Sequence, residues 1–141
     1  MLIVTKTALC SVVIAMMMVV IAFVITGSTI VSAFGTAMVL SIPILLPFIA
    51  LYFMDIKSRK KPIEPLFYWL VLGAFIVTVI LHIGWNYMML ADIMQKGSLG
   101  PEQGYWLLIN LFGGFKALVV GAAIGVFCQL IYSGCFDKRS K

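Results

Sequence analysis

The stretch "TALCSVVIAMMMVVIAFVIT", residues 7–26, is twenty residues long and carries no charged side chain. A helix needs about 20 apolar residues to cross a hydrocarbon core about 30 Å thick, so this segment reads as a membrane span. It exceeds the roughly 7–15 apolar residues of a signal-peptide core, which argues against a cleaved leader. It is apolar on every side, so its sequence singles out no face, and Met16 to Met18 read as adaptable packing.

Three further segments follow the same pattern, at about 30–54, 65–91 and 105–133. Their sum explains a chain of 141 residues that is 63% hydrophobic and 11% charged. Ordinary soluble domains run at roughly 45–50% and about 25%. The expected fold is therefore all-α: one polytopic domain over 1–141, folded as a four-helix transmembrane bundle.

The charges fall between these segments, and their distribution suggests an orientation. Lys6, Lys57, Arg59, Lys60, Lys61, Lys138, Arg139 and Lys141 cluster at the N-terminus, in the loop after the second segment, and in the C-terminal tail. The link at 27–29 has no charge, and the loop at 91–104 has one basic residue, Lys96. Cytoplasmic loops carry the Lys/Arg excess. Four spans put all three basic stretches on one side, so both termini are expected in the cytoplasm, with a bacterial inner membrane as the setting. The net charge of +5 is then an orientation signal and implies no nucleic-acid partner. Cys10, Cys128 and Cys135 form no CxxC pair, and no cofactor or metal site is expected.

Within the second segment, Pro43 and Pro47 sit one turn apart. Each removes a backbone hydrogen bond, so a kink is expected there, with a hinge as its functional reading. The fourth segment carries Gly113, Ala117, Gly121 and Gly125 at spacing four. Such small-residue ladders let helix backbones approach closely in lipid, so this face is expected to pack against another helix.

The intramembrane polar residues are the candidate functional ones. In the third segment Ala74, Thr78, His82 and Asn86 recur every four residues and share a face. The fourth contains Asn110 and, in "NLFGGFKALVV" (110–120), Lys116. Aligning the aromatic belts Trp85/Tyr87 and Tyr105/Trp106 puts Asn86 and Asn110 about 13 Å outward of the midplane, His82 about 7 Å and Lys116 about 4 Å. The expectation is a polar seam of His82, Asn86, Asn110 and Lys116 between the last two segments.

Lys116 is the costly member, at about 2.5–3.5 kcal/mol for a lysine in mid-helix. Asp55, Glu64, Asp92, Glu102 and Asp137 are all expected in loops or at boundaries, so none is expected to neutralise it. With no nucleophile–base pair, carboxylate pair or metal spacing, an enzyme is not expected. The favoured reading is an accessory, regulatory or immunity-type subunit. It would act through transmembrane helix packing against another membrane protein or copies of itself, in contact with membrane lipids. The alternative is a small oligomeric channel or transporter with an anion or proton pathway past Lys116 and His82.

Overall fold

The computed structural model describes residues 2–58, 64–97 and 103–136. Arg59, Lys60, Lys61, Gly100, Pro101, Glu102, Asp137, Lys138, Arg139 and Lys141 lie outside the described residues, as does the side chain of Cys135. The described chain is helical throughout: α1 (Leu2–Ile25), α2 (Ile30–Leu40), α3 (Ile42–Ser58), α4 (Pro65–Lys96), α5 (Gln103–Leu108), a π-helical turn (Ile109–Gly113) and α6 (Gly114–Phe136). Three stretches are long and apolar enough to cross a membrane: Val4–Ile25, Pro65–Lys96 and Tyr105–Gly134. The pair α2 and α3 makes a fourth if counted as one broken span, with a bend of 64° between its halves.

α1 buries Ala8, Val12, Ala15, Val19 and Ala22 against its neighbours and exposes Leu9, Val13, Ile14, Met17 and Ile21. A soluble fold would not leave that second set uncovered; a bilayer covers it. The buried set follows the 4-3-4-3 spacing of a helix-packing stripe, with alanine at every seventh position. These small side chains bring α1 against α2, α3 and α4. One face of α1 is therefore packed against three helices while the other is left uncovered by the chain.

Local signals set the helix ends. After α1, the Gly27 N–H donates to the Val24 carbonyl at 3.0 Å, and the Ser28 N–H to the Phe23 carbonyl at 3.0 Å. This is the Schellman arrangement, which needs a left-handed residue; Gly27 supplies it at φ 85°. Thr29 then caps α2, its side-chain oxygen accepting from the Ser32 N–H. α4 also stops at a left-handed glycine, Gly97 (φ 71°), but through the simpler single bond of its N–H to the Ile93 carbonyl at 2.8 Å.

The break between α2 and α3 falls at Ser41. Pro43 has no N–H for the Val39 carbonyl, and its ring crowds that oxygen, so the helix cannot run through. Instead the Ile44 and Leu45 N–H groups both turn to the Ser41 carbonyl, at 3.0 and 2.9 Å. Pro43 thus becomes a first-turn residue of α3, where proline is tolerated, and Pro47 lies inside α3.

Two expected boundaries move. α3 continues to Ser58, so Asp55 is a buried helical residue and not part of a loop. α4 runs to Lys96, which places Asp92 and Lys96 on one helix face as an ion pair at 2.8 Å.

Candidate functional site

α4 and α6 pack most extensively of all the helices, and the small residues of α6 are what allow it. A Cβ placed on Gly121 would lie 2.6 Å from the Gly73 carbonyl oxygen and 2.8 Å from the Ala74 Cα. One placed on Gly125 would overlap the Trp69 carbonyl, and Gly73 faces Gly121 and Gly125 in turn. Gly113 lies under the Trp85 indole, with Ala117 buried between. The close contact that the ladder makes is inside the chain. Its α4 side is the row Trp69, Gly73 and Val77, one position removed from the polar row.

The polar row of α4 turns elsewhere. Ala74, Thr78, His82 and Asn86 are all buried, the last three completely. Thr78 donates back to the Ala74 carbonyl at 2.7 Å, within its own helix. The Asn86 amide reaches across to the Ala15 carbonyl of α1 at 3.3 Å. Asn110 is also fully buried, and its amide returns to the Trp106 carbonyl at 3.1 Å, one turn earlier. The hydrogen bonds of Asn86 and Asn110 therefore do not join the two residues to each other.

These side chains lie between two apolar clusters. One is built on Ala8, Val12, Ala15, Ile44, Leu51, Val71, Phe75 and Val79. The other is built on Val19, Ala22, Phe23, Ala33, Ala37, Leu40, Met89 and Ile93. The change of cluster falls between Ala15 and Val19 on α1, between Leu40 and Ile44 at the bend, and between Val79 and Met89 on α4. Ser41, His82 and Asn86 occupy that interval and form a polar layer across the bundle. Gly114 brings the end of the π-helical turn to the same level, because a Cβ there would sit 2.7 Å from the Pro43 ring.

Among the described residues, several of these buried polar atoms have no partner. Ser41 Oγ, both ring nitrogens of His82, Asn86 Oδ1 and Asn110 Oδ1 are buried and accept or donate no hydrogen bond. Trp106 Nε1, just outside the layer, is in the same condition. Each such group costs about 1–3 kcal/mol when buried unpaired, so the layer is chemically primed for small hydrogen-bonding species. His82, Asn86 and Asn110 stood out in the sequence as intramembrane polar residues, and the structure buries all three. Sequence reasoning missed Ser41, whose signal was its position two residues before Pro43.

Lys116 does not join the layer. It is exposed on the outside of α6, among Phe112, Phe115, Val119 and Val120, which are 40–72% exposed. The reason is angular: at 3.6 residues per turn, Lys116 lies about 100° around the helix from Ala117, whose face is against α4. A residue one position off the ladder cannot point where the ladder points. The expected four-residue seam is not assembled: His82 and Asn86 share a layer with Ser41, Asn110 is buried with its amide bonded to Trp106 of its own turn, and Lys116 lies on the exposed side of α6.

Among the described residues no three His, Cys, Asp or Glu side chains are grouped as metal ligands would be. Cys10 and Cys128 are free thiols on exposed positions. No family model, curated protein or solved structure matches this chain.

Proposed function

We propose that this protein is a four-span inner-membrane subunit with both termini in the cytoplasm, and that it acts by binding another transmembrane protein through the outer face of α6. The observation that carries this reading is Lys116, an exposed lysine in the middle of a long apolar helix. On a lipid-facing surface it costs about 2.5–3.5 kcal/mol, which snorkelling relieves only in part near the midplane. A carboxylate on a neighbouring transmembrane segment at the same depth removes that cost. Small residues are not needed for this docking, because the glycine ladder is already occupied by α4.

The partner is more consistent with a different polypeptide than with a second copy. Of this chain's five acidic residues, the described ones are Asp55, Glu64 and Asp92, and each is near a helix end. No copy of the chain brings one of these to the depth of Lys116 while keeping the spans parallel. The role is accessory or regulatory and non-catalytic. The test is co-purification in mild detergent from native membranes. Wild type should bring down a transmembrane partner that Lys116→Met loses; an unchanged set of partners would sink the proposal.

A second reading rests on a different observation, the unpartnered polar layer beside a broken span. Discontinuous helices at mid-membrane are where transporters hold small solutes. Such a route would use Ser41, His82, Asn86 and Asn110 and would not include Lys116, which faces away from them. Proton or solute flux in liposomes that His82→Leu abolishes and Lys116→Met leaves intact would favour this reading over the first.

A further inference from the structure

At the end of the bundle where α1 begins and α3 ends, a hollow of about 570 Å³ opens between the two helices. That volume is within the roughly 300–1,000 Å³ of small-molecule sites. Its walls divide by chemistry. Leu9 and Phe48, the lining residues farthest from the helix ends, make the inner part apolar. Thr5, Lys6 and Asp55 make the part near the helix ends polar, with Ile56 beside Asp55 and Tyr52 about one turn further in.

The polar end is built and not incidental. Asp55 is only 9% exposed, and its carboxyl is held in place by Thr5, whose hydroxyl donates to Oδ2 at 3.1 Å. Ser58 Oγ donates to the Asp55 main-chain carbonyl at 2.8 Å, which closes the last turn of α3 around it. Tyr68 of α4 lies behind the Thr5–Asp55 contact in a small adjoining gap. Among the described residues Oδ1 of Asp55 accepts no hydrogen bond, and Lys6 lines the same hollow without forming an ion pair with it. A buried carboxyl and an exposed ammonium therefore face one hollow as separate, opposite charges.

We propose that this hollow binds one phospholipid whose headgroup carries a primary amine. The phosphate takes the Lys6 ammonium and the Tyr52 hydroxyl, the amine donates to Asp55, and one acyl chain runs inward along Leu9 and Phe48. The arrangement distinguishes headgroups by their donors. A primary ammonium has three N–H groups for a carboxylate, a choline has none, and a glycerol headgroup has no cation to offer Asp55. The site is on the α1–α3 side of the bundle, so the proposal is independent of any partner at α6.

The experiment is native mass spectrometry of the intact protein, delipidated in detergent and titrated with phosphatidylethanolamine, phosphatidylcholine or phosphatidylglycerol of matched chains. Phosphatidylethanolamine is expected to bind roughly tenfold more tightly than either competitor. Asp55→Asn keeps an oxygen for Thr5 and should bring phosphatidylethanolamine down to the level of phosphatidylcholine. Lys6→Gln should weaken all three. Phosphatidylglycerol binding as well as or better than phosphatidylethanolamine would overturn the proposal, because it would reduce the site to a basic patch. So would an unchanged headgroup preference in Asp55→Asn. The wild-type ranking decides the matter alone if a variant does not fold.

Discussion

The Asn86 side-chain amide donates to the Ala15 main-chain carbonyl at 3.3 Å, and so ties α4 to α1 at the level where α2 gives way to α3. Its other polar atom, Oδ1, is buried with no partner among the described residues. Removing the whole amide therefore removes a bond and an unmet group together. Interhelical hydrogen bonds in membranes average about 0.6 kcal/mol. Asn86→Leu is expected to change stability by less than about 1 kcal/mol in a detergent unfolding titration. Asn86→Ala, which also leaves a cavity, should cost roughly 2 kcal/mol more.

The glycines of the molecule separate into two kinds. Gly121→Ala and Gly125→Ala place a methyl against the α4 backbone and should destabilise by about 1–3 kcal/mol each. Gly84→Ala meets nothing within 4 Å and should stabilise by up to about 1 kcal/mol, the ordinary helix preference for alanine. Equal effects at the three positions would mean that α4 and α6 are not in backbone contact.

Replacing Pro43 and Pro47 together with alanine returns N–H donors to the Val39 and Pro43-position carbonyls. Spin labels at positions 31 and 53 should move apart as the 64° bend opens. A constant distance would show that the packing of the surrounding helices, and not the missing donors, holds the bend.

Lys116→Met is expected to stabilise the isolated protein in bilayers, by up to about 2.5–3.5 kcal/mol. In the complex the same change should weaken assembly. The two readouts move in opposite directions, which a lysine serving only the internal fold would not produce.

Single-cysteine variants at Gly97 and Ser133, in a background without Cys10, Cys128 and Cys135, report the span count. Four spans with cytoplasmic termini require a membrane-impermeant maleimide to reach the first from the outside of intact cells and the second only after permeabilisation.

The features written in local chemistry were legible from the sequence. The proline pair marked the bend, and the spacing of apolar runs marked the long helices. The alanine stripe of α1 was also there to read, at positions 8, 15 and 22, but its meaning depends on knowing that α2, α3 and α4 all pack on that face. Lys116 was misplaced because depth was considered without angle, although Ala117 next to it belongs to the ladder. Gly73 was missed since a lone glycine gains meaning only opposite Gly121. The π-helical turn has no sequence signature of its own, because it arises where Gly113 and Gly114 must fit Trp85 and Pro43 on two different helices.

The two interruptions in the helices, at Ser41 and at Ile109–Gly113, meet through the contact of Pro43 with Gly114. Only α1 and α4 pass that level unbroken, and α4, at 32 residues, is about 48 Å long. They run straight through as two pillars, beside a second span broken at Ser41 and a last span that passes the level in a π-helical turn. A thicker or thinner bilayer normally forces whole helices to tilt. Here the 64° bend between α2 and α3 gives a change of thickness a second place to act, because the angle of a broken span can change while α1 and α4 lean.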